Sequence, residues 1–351
     1  MRLRLLLPAA VVALCAAAPA AQAALPTPVW LTPQAVAPSG DASSGYGVIG
    51  AATPTGGAFV GWNIVESGHN RMRVTYRPPG GDWTAPVTLG PTGHGAYWQD
   101  WTAEPDGTIT IAYYVDGLNR VYTQSINGDT GAVGDPELFS DPDRGSGCGS
   151  FATAEDGTTY FAWCSDETYL RVRAPGSSTW SAPEPVTEQS TSGSKVAITG
   201  DGDLVVLYRL ASPSRLRAIV RPAGSSDWSA PVTLATSGND LSTPRVAVGT
   251  DGRLTALWID SNGGGSPGQA YTATYDGTAW SASTAFGGPA TIVGEIVPDR
   301  DGNILAGWLG IEGTYVSRSA TLAPGATTFT PGTVLNPDGE LAGITGLAVR
   351  P

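Results

Sequence analysis

A turn followed six residues later by an aromatic side chain recurs along most of the chain at nearly constant spacing. The successive pairs of turn glycine and aromatic residue are Gly56 and Trp62, Gly107 and Tyr113, Gly157 and Trp163, Gly202 and Tyr208, Gly252 and Trp258, and Gly302 and Trp308. Asp precedes the glycine in all but the first pair, and Asp-Gly favours the tight primed turns that join hairpin strands. The aromatic residues lie 45 to 51 residues apart. Spacing this regular indicates a repeat architecture.

Each repeat divides into four short segments that are typical of β-strands. In the fourth repeat these segments read SKVAITG, DLVVLYRL, RLRAIVRP and WSAPVTL. They are rich in β-branched residues and are bounded by turn-forming residues. One such four-stranded sheet cannot cover both of its own faces, so neighbouring sheets must bury them. The sequence therefore predicts an all-β fold, a β-propeller of four-stranded antiparallel blades.

The last segment of each repeat is almost a fixed phrase. WSAPVTL at Trp228–Leu234 has near-copies in WTAPVTL at Trp83–Leu89, WSAPEPV at Trp180–Val186 and WSAS at Trp280–Ser283. We predict that the phrase forms the outer strand of each blade, where proline is tolerated because an edge strand does not need every amide donor. Its tryptophan is expected to pack against the adjoining blade. A row of sugar-stacking tryptophans is the alternative interpretation.

The sequence determines the number of blades less tightly than it determines the four-stranded form of each blade. The outer-strand phrase also occurs early, as WLTPQAV at Trp30–Val36, and GITGLAVRP at Gly343–Pro351 resembles one more inner strand. We predict six blades, with the N-terminal strand completing a blade that begins at the C-terminus. Seven blades with an incomplete closing blade is the alternative.

The first residues resemble an export signal. Arg2 and Arg4 precede an apolar run over Leu5–Ala18, and Ala21–Ala23 offers small residues at the positions that a signal peptidase requires. The apolar run is shorter than the roughly 20 residues needed to span a bilayer. We predict a signal peptide over residues 1–23, a single β-propeller domain over residues 24–351, and a secreted, extracellular protein without a membrane span.

The net charge of the chain limits the classes of partner that the protein can bind. The chain has 19 Lys and Arg against 31 Asp and Glu, a net charge of −12. Such a balance repels nucleic-acid backbones and acidic membrane surfaces. We therefore expect no nucleic-acid partner, and a monomer whose partner is a glycan or an extracellular protein.

Two cysteines flank one of the Asp-Gly turns. If Glu155 pairs with Thr158 across that turn, Cys148 faces the residue after Cys164, and a single bulge would bring the sulfur atoms together. Export favours oxidation, so we predict a cross-strand disulfide. Two buried free thiols are the alternative.

The sequence contains no motif for a metal or a cofactor. His69 and His94 are the only histidines and form no spaced zinc motif with the cysteines. Calcium stays open because Asp201–Asp203 and Asp299–Asn303 supply oxygen ligands, although both stretches are explained as hairpin turns. We expect no cofactor and no metal site.

One segment departs from the repeat. HGAYWQDW (His94–Trp101) brings together aromatic faces and hydrogen-bonding groups, a mixture typical of carbohydrate sites. The candidate ligand-binding residues in this segment are His94, Tyr97, Trp98, Asp100 and Trp101. Packing beneath the channel rim is the alternative interpretation of the aromatic residues.

Three aspartates follow the aromatic residues of the second strands in equivalent positions. Asp116, Asp166 and Asp260 are expected on one face of the ring, around the mouth of the central channel. Paired carboxylates at suitable separation can hydrolyse glycosidic bonds. Solvated turn aspartates are the alternative interpretation.

The phrase RPAGSSDWSAPVTL (Arg221–Leu234), with the turn and aromatic of each repeat, resembles exported bacterial propeller proteins of the sialidase-like superfamily. The resemblance covers Trp30–Pro351 and implies the propeller fold. Sialidases also carry an Arg-Ile-Pro motif, and Asp-boxes between the third and fourth strands. This sequence has no Arg-Ile-Pro, and its Asp-Gly turns lie between the first and second strands. No sialidase catalytic residue is therefore carried over.

Three functions from different classes remain. The first is a secreted binding protein that recognises a glycan or a cell-envelope component on one face of the ring. The second is a glycoside hydrolase or lyase that uses carboxylates at the channel mouth. The third is a surface scaffold or interaction module with no small-molecule site.

Overall fold

The structure of the protein is a computed structural model, and it describes residues 43–140, 148–187, 189, 191–261, 268–299, 301–311 and 315–335. These residues belong to one compact unit, Val36–Pro351. All regular elements among them are β-strands. The leader and the segments Trp30–Val36 and Gly343–Pro351 lie outside the described residues, so the domain boundaries and the closing of the ring stay predictions.

The first three blades are separate four-stranded antiparallel sheets. In chain order their strands are β1 (Ser43–Ala52), β2 (Ala58–Glu66), β3 (His69–Arg77) and β4 (Val87–Leu89); β5 (Ala96–Ala103), β6 (Ile109–Val115), β7 (Arg120–Ile126) and β8 (Glu137–Leu138); and β9 (Cys148–Thr153), β10 (Thr159–Cys164), β11 (Thr168–Arg173) and β12 (Glu184–Pro185).

The last three blades repeat the pattern with one variation. Their strands are β13 (Gly193–Ile198), β14 (Leu204–Ala211), β15 (Ser214–Arg221) and β16 (Val232–Ser237); β17 (Asp240–Leu241), β18 (Arg245–Val248), β19 (Leu254–Ser261) and β20 (Gly268–Tyr275); and β21 (Thr284–Pro298), β22 (Ile304–Ile311), β23 (Tyr315–Leu322) and β24 (Thr333–Val334). The variation lies in blade 5: its first strand is in two pieces, β17 and β18, which both pair with β19. The long strand β21 pairs with β20 at its start and with β22 at its end. It is therefore the outer strand of blade 5 and the inner strand of blade 6, which gives six blades.

The hydrophobic core lies between the blades. Five clusters of buried residues occur among the described residues, and each draws its side chains from two consecutive blades. The repeated aromatics are central to them, because Tyr113, Trp163, Trp258 and Trp308 are among the largest fully buried side chains. The repeat marker of the sequence is thus the residue by which each sheet covers its neighbour, as the propeller fold requires.

The turns between first and second strands share one geometry. In each of the six turns the glycine amide donates to the carbonyl three residues earlier, as Gly107 does to Glu104 at 2.8 Å. The turn glycines have φ between 79° and 90°, whereas the preceding aspartates do not have positive φ. A primed turn of type I′ would need positive φ at both residues. The prediction of primed turns is therefore wrong; these are type I turns followed by a left-handed glycine.

The outer-strand phrase has two halves. Only the residues after the proline form the outer strand, as Val232–Ser237 does after Pro231. The earlier half is held to the third strand by the Ser or Thr that follows its aromatic residue, which is Phe329 in blade 6 and a tryptophan in blades 1, 3, 4 and 5. In blade 4 the Ser229 amide donates to the Val220 carbonyl at 2.7 Å, and the Ser229 hydroxyl accepts from the Val220 amide at 3.1 Å. The same pair of bonds joins Thr84 to Tyr76, Ser181 to Val172, Ser281 to Thr274 and Thr330 to Thr321.

The tryptophan of the phrase lies under the last residue of the third strand. The arginine–tryptophan pairs are Arg77 over Trp83 (5.4 Å), Arg173 over Trp180 (4.7 Å) and Arg221 over Trp228 (4.9 Å). Trp180 also contacts Phe139 of the preceding blade, with ring centroids 5.0 Å apart. The predicted packing of this tryptophan against the adjoining blade is therefore confirmed there.

The predicted disulfide joins the first two strands of blade 3. Cys148 and Cys164 are direct partners in the β9–β10 register, with Cα atoms 5.4 Å apart, and they form a disulfide. The expected bulge is absent because the loop is one residue longer than assumed: Ala154, not Glu155, bonds with Thr158.

Candidate binding site

The HGAYWQDW segment becomes strand β5, and a bulge divides its side chains. Register shifts between Trp98 and Asp100, so Trp98 faces Tyr113 whereas Asp100 faces Ala112. An extra residue in one strand re-aims the side chains on its two sides. The structure therefore separates the eight predicted site residues into several groups.

Trp98 and Trp101 belong to the core between blades 1 and 2. Both are half-buried and pack against its buried residues. The ring of Trp101 meets that of Phe59 edge to face at 5.0 Å. An indole held in this way adds to the stability of the blade interface. The structure thus favours the packing interpretation for these two tryptophans.

Asp100 connects three blades. One carboxylate oxygen accepts from the Trp101 amide at 3.0 Å, and the other accepts from the Phe151 amide of blade 3 at 3.0 Å. The second oxygen also lies 3.4 Å from Nζ of Lys195 in blade 4. The register places Ser150 at the equivalent position of the next blade, where its hydroxyl accepts from the Val196 amide at 2.8 Å. Asp100 therefore acts in blade assembly.

Tyr97 and Tyr114 form a pair of aromatic rings that is not part of the core cluster between blades 1 and 2. They are cross-strand partners, half-buried, with ring centroids 6.4 Å apart and ring planes inclined by 41°. The hydroxyl of Tyr97 accepts from the side-chain amide of Asn70 in blade 1 at 3.2 Å. Val65, which is paired with Asn70 in register, is 62% exposed. We call Asn70, His94, Tyr97, Tyr114 and Asp116 the tyrosine site.

Polar groups surround the two rings. A ring nitrogen of His94 lies 3.2 Å from the Asp116 carbonyl, and the exposed Asp116 carboxylate accepts from the Gly117 amide at 2.9 Å. The hydroxyl of Tyr114 donates to the Asn119 side chain at 3.0 Å. Burial raises the pKa of Tyr114, and the negative charge of Asp116 raises it further. The tyrosine hydroxyl therefore stays a neutral donor and acceptor at physiological pH.

Each of the three loop aspartates has a hydrogen-bond partner on the protein. Asp166 accepts from the Tyr169 hydroxyl at 3.3 Å, and Asp260 accepts from the Ser237 hydroxyl at 2.7 Å. Asp260 lies inside strand β19, whereas Asp116 and Asp166 follow the ends of their strands.

The turn carboxylates considered for calcium have protein partners. Asp203 accepts from the Ala223 amide at 2.9 Å and from the Tyr275 hydroxyl at 3.3 Å. The Asn303 side chain bonds to the Asp299 carboxylate at 2.9 Å and lowers its pKa. No group of three or more His, Cys, Asp or Glu residues suited to a metal ion occurs among the described residues. Nor does any helix there have the length and apolar character to cross a membrane.

Two members of the tyrosine site were absent from the sequence-based prediction. Tyr114 adjoins the repeat marker Tyr113, and its pairing with Tyr97 depends on the bulge in β5. Asn70 belongs to the preceding repeat and reaches the site only through blade packing. The only sequence signal for Tyr114 was its strand position near Asp116.

The fold is similar to those of several solved structures. A protein of unknown function from Dyadobacter fermentans matches with a TM-score of 0.52 and 14% identity, over 82% of this chain and 94% of that chain. A leech intramolecular trans-sialidase matches with a TM-score of 0.53 and 10% identity, over 80% and 67% of the two chains. An ulvan lyase, a polysaccharide lyase, matches with a TM-score of 0.54 and 11% identity, over 81% and 84%.

Identities this low show a shared fold alone. The sialidase-like propeller fold predicted from the sequence is thereby confirmed. No protein-family model and no curated protein matches the chain in sequence.

Proposed function

We propose that this protein is a secreted binding protein that recognises a glycan through the tyrosine site. The observation that carries the proposal is the pairing of Tyr97 with Tyr114 as adjacent, half-buried rings. Aromatic faces stack on the apolar face of a sugar ring, while nearby hydroxyl, amide and carboxylate groups bond to its hydroxyls. Asn70, His94 and Asp116 supply such groups around the rings.

Carbohydrate-related proteins among the structural neighbours support this proposal as analogy. Two of them are named as a trans-sialidase and an ulvan lyase. A propeller hosts many functions, so the fold by itself does not choose between binding and catalysis. We favour binding over hydrolysis or lysis by loop carboxylates because the paired rings of Tyr97 and Tyr114 supply a surface on which a sugar can stack.

A glycan array with matched variants tests the proposal. The protein should retain at least one glycan, and Tyr97→Ala and Tyr114→Ala should each reduce that signal by about tenfold, since stacking and hydrogen bonds are lost together. Tyr160→Ala is the control, because Tyr160 is also half-buried but lies in blade 3. Retention equal to the unmodified protein in both site variants would refute the tyrosine site; a scaffold without a small-molecule site predicts no retained glycan.

We also propose that the chain is exported and processed after Ala23. The Cys148–Cys164 disulfide supports an oxidising compartment. Mass spectrometry of the protein recovered from the culture medium should find Ala24 as the first residue. Recovery of the uncleaved chain in the cytoplasm would contradict export.

A further inference from the structure

The aromatic residue of each second strand faces one residue of the third strand, and in three blades that residue is an arginine. The three pairs are Trp62 with Arg73, Tyr208 with Arg217, and Trp308 with Arg318. Two of these arginines have protein acceptors. Nε of Arg73 donates to the Thr88 hydroxyl at 3.3 Å, and Arg318 donates to the Gly332 carbonyl at 3.3 Å.

Arg217 lacks an acceptor equivalent to Thr88 or Gly332, and its guanidinium donates to the Tyr208 hydroxyl instead. The register pairs it with Thr233, as it pairs Arg73 with Thr88, but a bulge between Leu216 and Arg217 interrupts the pairing with β16. Nε of Arg217 is buried and has no hydrogen-bond partner among the described residues. A buried donor without an acceptor is costly. One donor of Arg217 therefore has no acceptor on the described part of the protein, while the Tyr208 hydroxyl accepts a hydrogen bond from the guanidinium.

The guanidinium lines a cleft between blades 3 and 4. The cleft has a volume of about 350 Å³, and its walls include Tyr208, Arg217 and Ile219 of blade 4 with Val186 and Thr187 of blade 3. This volume lies within the range of small-molecule sites. Tyr208, Ile219 and Val186 are buried residues of the core between blades 3 and 4.

Two side chains at this interface are smaller than their counterparts at the preceding interface. At the preceding interface Phe139 fills the corresponding space, with its ring 5.3 Å from that of Trp163. Val186 occupies the Phe139 position of the phrase in blade 3, and Tyr208 occupies the Trp163 position in blade 4. Larger residues at these two positions would fill the cleft.

The residues that line the cleft favour a ligand that carries a carboxylate group. Arginine presents a planar fork of donors that matches a carboxylate in a bidentate manner. The Tyr208 hydroxyl lies beside Arg217, and burial raises its pKa more than the guanidinium lowers it, so it stays protonated and able to donate. Val186 and Ile219 offer apolar surface for the body of a small ligand.

We propose that this cleft binds a small carboxylate-bearing ligand of monosaccharide size, a sugar acid, with Arg217 as its anion-binding residue. The carboxylate would accept from the guanidinium and from the Tyr208 hydroxyl, while the sugar ring would lie against the apolar wall. The site belongs to blades 3 and 4 and does not depend on the tyrosine site, which belongs to blades 1 and 2.

Isothermal titration calorimetry with glucuronate, glucose and inorganic phosphate tests the proposal. Glucuronate should bind the unmodified protein, and glucose should bind at least about tenfold more weakly because it lacks the carboxylate. Arg217→Gln should weaken glucuronate binding by a similar factor. Val186→Phe should also weaken it by filling the cleft while retaining Arg217. Arg73→Gln and Tyr97→Ala are the controls and should leave glucuronate binding unchanged.

The following results would each overturn the proposal. No heat with glucuronate, or unchanged glucuronate binding in both Arg217→Gln and Val186→Phe, would remove the cleft as a site. Binding of phosphate in preference to glucuronate, lost in Arg217→Gln, would overturn the assignment to carboxylates. Circular dichroism of each variant shows that the blades are folded, and Val186→Phe keeps the test decisive if Arg217→Gln does not fold.

Discussion

Arg221 lies over the indole ring of Trp228, with its guanidinium carbon 4.9 Å from the ring centroid. The indole N–H of Trp228 donates to Glu184 of the preceding blade at 2.8 Å, and the same carboxylate accepts from Arg221 at 3.0 Å. Arg221 and Glu184 form an ion pair whose side chains are 15% and 38% exposed. One repeated tryptophan thus connects its own third strand to the neighbouring blade.

Replacement of Trp228 should destabilise the protein. Trp228→Ala is expected to lower the free energy of unfolding by about 2–3 kcal/mol, less than for a fully buried tryptophan because this ring is half-exposed. Urea denaturation followed by circular dichroism measures the change. Trp228→Phe keeps most of the packing and should cost about 1 kcal/mol, the value of the lost hydrogen bond. A change below about 0.5 kcal/mol in Trp228→Ala would place this tryptophan outside the packing of the blades.

Asp100 should matter more to stability than an exposed turn aspartate. Asp100→Ala leaves the Trp101 and Phe151 amides without their acceptor and Lys195 without its partner. The expected loss is about 2–4 kcal/mol in the free energy of unfolding. Asp106→Ala is the control, because Asp106 is exposed and bonds only to the Thr108 amide among the described contacts. Equal losses in the two variants would contradict the interblade role of Asp100.

The disulfide should stabilise blade 3. The bond closes a loop with a sequence separation of 16. In the chain-entropy model a loop of this size contributes about 3 kcal/mol. The double variant with Cys148→Ser and Cys164→Ser should lose about that amount, as measured by urea denaturation. Reductant should destabilise the unmodified protein to the same extent and leave the double variant unchanged; an effect of reductant on the double variant would argue against this bond as its target.

Ionisation of Tyr275 should make the stability of the protein depend on pH in the alkaline range. Burial, followed by the charge of Asp203, raises its pKa to about 12, and its hydroxyl donates to Asp203 and to the Gly277 carbonyl. A raised pKa in the folded state gives stabilisation that is complete below about pH 10, where the unfolded tyrosine is protonated, and that is lost as the pH rises towards 12. The stability gap between the unmodified protein and Tyr275→Phe should therefore narrow above about pH 10. A gap that stays constant between about pH 8 and pH 11 would contradict this linkage.

The sequence predicted the blades because their chemistry is periodic. The turn glycine must adopt positive φ, and the aromatic six residues later must fill the space between sheets, so both recur in every repeat. The disulfide pair was found by the same reasoning. Its register was misjudged by one residue because a three-residue loop and a two-residue turn share the same Asp-Gly sequence.

The candidate sites were only partly predictable because they arise between repeats. The bulge in β5 determines that Tyr97, rather than Trp98, pairs with Tyr114. Asn70 joins that site from another blade. The cleft at Arg217 is lined by residues of two blades, among them Val186 and Tyr208.

Crystallographic analysis of the protein soaked with a glycan retained on the array tests the central functional claim most directly. The account predicts electron density for a sugar ring against Tyr97 and Tyr114, with its hydroxyls bonded to members of the tyrosine site. Density for the glycan on another face of the blades, with Tyr97 and Tyr114 uncovered, would contradict it.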